Sequence, residues 1–350
     1  MRKTWTGTSG TGRTRGAPAT GSARTLRGGW RSGVVALAAA CALTAGVAVL
    51  PLPDTDGYRA DTVSAPGSGT LAGLSGKAEE CENPEASLRP SGADGPSVAE
   101  IKKRGKLVAG VDQNSFRWGY RNPATGTLEG FDIDLVKAIA KEILGDENKV
   151  VYRAIPTSQR IPALKSGLVD IVARTMTVNC SRIKDVAFSH AYFQAGQQVL
   201  APVDSPIKGY DDTLRGRRVC TAKGSTANEA LKEESFGAVF DKPEFTVANQ
   251  LDCLVRLQLG QVDAIVTDNA LAAGQAAQDP AIQVKGKPFT TEYYGVATKL
   301  GNDDLVRRIN KVLAAYSQGG PRSPWMTSYS RWLEEDLPDL TGPPAPKFRD

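Results

Sequence analysis

The sequence predicts an α/β protein of two similar lobes, each a mostly parallel sheet flanked by helices, joined by two crossover strands and facing each other across a cleft. Two internal echoes predict it. Residues 164–175, LKSGLVDIVART, are echoed by residues 257–268, LQLGQVDAIVTD, so that Gly167, Val169 and Asp170 match Gly260, Val262 and Asp263. RGKLVAGV at 104–111 is echoed, in the same order, by RGRRVCTA at 215–222. Each half therefore offers a strand after Arg-Gly and then a helix, Gly, strand unit, the alternation from which parallel α/β sheets are built. Ligands of such sheets settle beyond the carboxyl ends of the strands. Those ends carry Arg174, Thr175 and Asp268, a cation and an anion suited to one zwitterion.

Taken in chain order, residues 1–32 hold seven Arg or Lys and no acid, and Gly33–Leu50 is an uncharged apolar run of 18 residues. A positive flank before such a run reads as an export signal or a membrane anchor, so 1–50 is assigned to it and the rest is expected outside the cytoplasm. Cys41, after LAAA, is a candidate lipidation site, with a buried membrane-helix cysteine as the alternative. Residues 51–95, rich in Pro, Gly, Ser, Asp and Ala, read as a flexible tether. Order is expected from Pro96. The strand KLVAGV, the helix FDIDLVKAIAKEIL stopped by Gly145, the strand KVVYRAI and the helix RIPALKSG then build the first lobe, 96–197. QQVLAP at 197–202 reads as the crossover into a second lobe, 198–290, and TEYYGVATK at 291–299 as the return. Helices near 303–316 and 325–335 complete the first lobe to residue 337. The tail, 338–350, is too rich in proline for a helix.

The net charge of +5 belongs to the terminus, because the remaining 36 basic residues stand against 38 acidic ones. No basic run interleaved with aromatics suits nucleic acid. Cys81, Cys180, Cys220 and Cys253 form an even set for an oxidising compartment, with three possible connectivities. Cys220 in the first strand of the second lobe and Cys253 in its following helix favour one pair, which leaves Cys81 with Cys180. No CxxC spacing occurs and His190 is the only histidine, so neither metal nor cofactor is expected, and a Ser, His, Asp triad has little to build on.

EGFDIDLVKAIAKEI, RIPALKSGLVDIVARTMTVNCSR, VAFSHAYF, LRGRRVCTAKGSTANEAL and GQVDAIVTDN, in this order, resemble the extracellular solute-binding proteins that deliver polar amino acids to ABC importers. The resemblance covers about residues 98–336 and implies a two-lobed, type II periplasmic-binding-protein-like fold. ASLRP, APVDSPI and PAPKFRD look closer still to an actinobacterial branch of glutamine/glutamate-binding lipoproteins associated with a multi-span membrane protein and protein kinase G signalling. The implied partner is a membrane permease or a transmembrane sensor, and the implied ligand L-glutamate, L-aspartate or their amides.

By that resemblance Arg182 clamps the ligand α-carboxylate, a task suited to the planar guanidinium fork. On its own it would read as a solvated surface charge. Cys180 and Ser181 replace the Pro and Glu usual before it. Thr175 and Thr177 resemble positions that donate to the ligand. Thr226 opens a helix whose free N–H groups welcome an anion. Asp268, otherwise an ordinary helix N-cap, matches the acceptor of the α-ammonium. Arg160 resembles the arginine that faces an acidic side chain, and Arg174 adds a second cation. Three arginines against Asp268 give +2, which suits an acidic amino acid. Asp112 offsets one of them and leaves the amides open. Phe116 and Trp118 are candidates to cover the ligand or to pack the core. Alternatives are a dehydratase acting on arogenate- or prephenate-like substrates on the same fold, and an adhesive role.

Overall fold

The computed structural model describes residues 81–338 and 340–350. The apolar run, Cys41 and residues 51–80 lie outside them. Two five-stranded sheets form the two lobes. The first runs Val150–Ala154, Leu107–Val111, Ile171–Val172, Ala297–Lys299, Val186–Phe188, with only the Ala297–Lys299 strand antiparallel to its neighbours. The second runs Thr246–Val247, Val219–Ala222, Ala264–Asp268, Gln197–Pro202, Ile282–Lys285, and there Gln197–Pro202 is the antiparallel strand.

The echoes have a structural cause. Gly167 and Gly260 both adopt left-handed backbone, at φ 72° and 65°, and each N–H reaches back to the residue three before it, Leu164 O and Leu257 O. This turn ends the helix and releases the chain into the next strand, and a conformation there that L side chains resist explains the glycine. The matched aspartates also do the same work. Asp170 accepts from the Val108 N–H at 2.8 Å and from the Arg104 guanidinium, while Asp263 accepts from the Arg218 N–H at 2.8 Å and from the Arg218 side chain. Each carboxylate thus pins its strand beside the strand that follows the Arg-Gly echo of its own lobe.

Helix Phe131–Leu144 forms where the periodicity places it, burying Phe131, Leu135, Ile139 and Ile143 against the first sheet, and Gly145 closes it at φ 72°. Trp118 is a core residue, edge-on to Phe131, Phe193 and Tyr294. The connection between lobes lies earlier than QQVLAP: strand Phe193–Ala195 pairs antiparallel with the returning strand Glu292–Tyr294, and Gln197–Pro202 is already inside the second sheet. Alternation alone cannot tell a hinge strand from the sheet strand that continues it.

Residues 81–95, expected as tether, are instead packed from Cys81 onward. Ser87 donates from Oγ to Phe188 O at 2.7 Å, and Asn310 donates to Ser87 Oγ and Leu88 O. The proline-rich tail lies alongside, with Ser87 N–H to Lys347 O and Arg349 N–H to Ser87 O, both 2.9 Å. Polar composition suggested a linker, but two extended segments satisfy each other's backbone groups without needing periodic apolar residues.

Disulfides join Cys81 to Cys180 and Cys220 to Cys253, with Cα atoms 5.7 and 5.6 Å apart. They close loops of 99 and 33 residues, about 5 and about 4 kcal/mol on the chain-entropy model. Reduction is therefore expected to lower the thermal unfolding midpoint, and melting curves with and without dithiothreitol check it.

Candidate functional site

The side chains expected at the cleft come together. Arg160 opens helix Arg160–Lys165, Arg174 and Thr175 follow strand Ile171–Val172, and Arg182 opens a 3-10 turn, all from the first lobe. Thr226 opens helix Thr226–Glu233 and Asp268 ends strand Ala264–Asp268 in the second. These six and Thr177 line one small cavity of about 20 Å³, with Asp112, Gln250 and Leu271 among the other walls. A larger recess, about 770 Å³, opens outward from Arg160 and Arg182 between the lobes, past Lys223 and Phe240.

The lobes meet at several points, among them Thr157 N–H to Ala248 O at 3.3 Å and Trp118 Nε1 to Ala270 O at 3.1 Å, and two site arginines reach across the cleft to one carbonyl. Gly224 O accepts from Arg160 Nη2 at 3.3 Å and from Arg182 Nη2 at 3.2 Å. Gly224 has φ +75° and a Cβ there would stand 3.2 Å from Ser158 Cα, so the approach requires glycine. Arg160 completes its bonds with Thr157 O at 3.0 Å and, at 3.4 Å, Arg174 O and Thr175 O. Arg182 Nη1 donates to Thr177 O at 2.8 Å, and its own N–H is held by Asn179 Oδ1. Among the described residues neither guanidinium has a carboxylate within ion-pair distance, whereas Arg174 lies 2.9 Å from Asp112. That pair is close but poorly aligned, and Arg174 Nε has no hydrogen-bond partner among the described residues.

Burial, with Arg182 and Arg174 nearby, pushes the Arg160 pKa well below the usual guanidinium value, and burial lowers that of Arg182 too. Cations so placed demand an anion. Thr175 sits at φ 40°, strained for a β-branched residue. Its N–H donates to Asp132 at 3.0 Å, and Tyr192 Oη donates to the same carboxyl group at 2.7 Å. Burial pushes Asp132 up to about 7.

Asp268 makes no side-chain cap to the helix that follows it. It accepts instead from Tyr294 Oη and Gln197 Nε2. The site also contains an acid that sequence reasoning missed. Glu292, on the return crossover, is buried, accepts from Thr177 Oγ1, from Thr226 Oγ1 at 3.0 Å and from Gln197 Nε2 at 3.0 Å, and so ties both lobes to the hinge. Burial, then the nearby Glu292 charge, raises Asp268 to about 7. The signal for Glu292 was an acid two residues from Tyr294, on the same face of a short hinge strand. His190 is buried elsewhere, with Nδ1 3.1 Å from Ala191 O, and lines none of this cavity.

Two α/β lobes joined by paired crossover strands over a buried polar cavity are the architecture of a solute-binding receptor. The family model for bacterial extracellular solute-binding proteins, family 3, matches residues 107–334, and the chain belongs to that family. The ABC transporter glutamine-binding protein GlnH of Bacillus subtilis (strain 168) is 38% identical over 243 residues, 69% of this chain and 85% of that protein. The glutamine-binding protein of Geobacillus stearothermophilus is 40% identical over 232 residues, 65% of this chain and 86% of its own length. Among solved structures, an ancestral arginine-binding protein bound to glutamine matches with a TM-score of 0.60 at 35% identity, covering 66% of this chain and 98% of that one. Proteins of this family are extracytoplasmic transport receptors, not enzymes.

Proposed function

We propose that this chain is an extracytoplasmic receptor whose lobes close on glutamate or aspartate and present the closed form to a membrane partner. The observation that carries the ligand class is the pair of buried guanidinium groups, Arg160 and Arg182, which bond only carbonyl oxygens and have no counter-carboxylate among the described residues. The α-carboxylate takes Arg182 and the Thr226 N–H, and the ammonium takes Asp268 with Glu292 beside it. The side-chain carboxylate takes Arg160, beside Arg174, with Thr175 and Thr177 on the wall. Ligand contact to both lobes selects closure.

Glutamine is the second reading, because Asp112 already neutralises Arg174 and Glu292 adds a charge, so the count of +2 falls to zero. The two glutamine-binding relatives favour it as well. Calorimetry with the 20 amino acids decides. Glutamate or aspartate is expected tightest, a tighter glutamine moves the assignment to the second reading, and binding of none of them overturns both.

The ammonium needs Asp268 ionised, yet its carboxyl holds a proton up to about pH 7 before ligand arrives. Binding lowers that pKa, so affinity is full above about 7 and falls on acidification by up to about tenfold per unit. Burial raises this value most and Glu292 adds to it, while Tyr294, Gln197 and Arg160, which face the same carboxyl, lower it. Calorimetry at pH 8 and pH 6 in buffers of different ionisation enthalpy should show weaker binding and proton release at pH 6.

The charged flank, the apolar run and Cys41 are read as the tether to the outer membrane face. Among the described residues no helix is long and apolar enough to cross a membrane. The partner is an ABC permease or a transmembrane sensor. Loss of labelled-glutamate uptake in cells lacking the protein indicates the permease, and unchanged uptake the sensor.

A further inference from the structure

Arg182 closes a loop whose two ends are held and whose middle is not. Thr177 pairs with Tyr294, and the Val178 N–H donates to Tyr293 O at 2.8 Å, so the chain enters the loop fixed to the returning crossover strand. It leaves the loop into strand Val186–Phe188, with the Asp185 N–H on Arg182 O at 3.0 Å. Between these points Asn179 and Cys180 are half-buried and Ser181 is exposed. Among the described residues Asn179 bonds only within the loop, accepting from the Arg182 N–H at 2.9 Å through Oδ1 and from the Ile183 N–H at 3.1 Å through its carbonyl. What ties residues 179–181 to the rest of the lobe is the disulfide from Cys180 to Cys81.

Cys81 is placed in turn by contacts far from the cleft. Glu85 is buried and pairs with Lys347 at 2.6 Å, Ser87 lies parallel to Phe348, and Arg89 and Arg307 both engage Asp350. None of these residues lines the ligand cavity. Their packing reaches the Arg182 loop through one covalent link. Without that link three loop residues would regain backbone freedom, and the Arg182 main chain, held by Asn179, would move with them.

We propose that the Cys81–Cys180 bridge positions Arg182 for ligand, with the docked segments 83–89 and 347–350 as its anchor. The inference rests on the assignment of the α-carboxylate to Arg182 made above. A loop fixed before ligand arrives removes an ordering cost from binding. The α-carboxylate is common to all amino acids, so the gain is the same whatever the ligand side chain.

The test is calorimetry and amide hydrogen exchange, well below the melting midpoint, on the full chain and on a variant with Cys81→Ser and Cys180→Ser together. The ligands are L-glutamate, L-aspartate, L-glutamine and L-asparagine. The variant is expected to bind every one of these that the wild type binds about tenfold more weakly, by a similar factor for each. Exchange at the Arg182 and Ile183 amides of the ligand-free protein should quicken at least about tenfold. A bridge that merely stabilises the fold would lower the melting midpoint and move neither readout below it. A second variant keeps the bridge and inserts Gly-Gly between Glu82 and Asn83, which uncouples Cys81 from its anchor, and is expected to weaken binding about threefold or more. Affinities within about twofold of wild type in the serine variant, or unchanged exchange, overturn the proposal and leave the receptor reading standing. A loss confined to glutamate and aspartate also overturns it, because it places the effect at the ligand side chain. If the serine variant fails to fold, the glycine insertion decides alone by the same twofold limit. A wild type that binds none of the four overturns the ligand reading and this inference with it.

Discussion

Arg182→Ala is expected to abolish amino-acid binding and to leave the folded protein intact. The guanidinium is buried at the mouth of the cavity, with Nη1 committed to Thr177 O and Nη2 reaching Gly224 O across the cleft. A ligand carboxylate is a far better acceptor than that carbonyl. Two charge-assisted bonds at about 1.5–3 kcal/mol each make a loss of about 3–6 kcal/mol, or about two to four orders of magnitude in affinity. The fold should survive because no carboxylate is left behind unpaired, and removing a buried cation without a counter-charge relieves a desolvation cost. Calorimetry gives the affinity and a melting curve gives the stability. A variant that binds like wild type removes Arg182 from the site. One that no longer melts cooperatively shows that the arginine holds the loop rather than the ligand.

That loop shows what the sequence could and could not disclose. The position of Arg182 was legible because motif order survives even where Cys180 and Ser181 replace the usual residues before it. The disulfide from Cys180 to Cys81 now anchors the stretch, and Asn179 Oδ1 fixes the Arg182 N–H. The echo was legible for a comparable reason, since Gly167 and Asp170 meet local backbone demands that Gly260 and Asp263 meet again. That Asp112 offsets one arginine was legible as chemistry, but which one was not, and the structure places it 2.9 Å from Arg174. Glu292, Gln197 and Tyr294 were not legible. Glu292 and Tyr294 stand on the returning crossover strand and Gln197 opens a strand of the second sheet, and the alternation that puts Glu292 on the face of Tyr294 does not say that this face meets the cavity. Residues 81–95 were misjudged because their stability comes from the distant tail at 347–350 and from Asn310.

Replacing Arg160 and Arg174 together with glutamine is expected to weaken glutamate and aspartate far more than glutamine, so that preference moves toward the amide. A side-chain carboxylate in this cavity gains mainly from charge, and both variants keep hydrogen-bond donors of similar reach while removing that charge. The contributions should be unequal. Arg174 already faces Asp112, so losing it removes a cation and strands an acid, whereas Arg160 has only carbonyl partners and its positive charge is the more available to a ligand. Arg160→Gln alone should therefore lower the glutamate to glutamine affinity ratio by about tenfold or more, equivalent to about 1.4 kcal/mol. Arg174→Gln alone should weaken both ligands through the stranded Asp112, with a smaller change in the ratio. Affinities of the wild type, both single variants and the double variant for glutamate, aspartate and glutamine test this directly. A ratio that stays constant across all four proteins means that cavity shape, not charge, selects the ligand. A ratio that falls mainly with Arg174 means that the side-chain end of the cavity lies at the Asp112 pair instead.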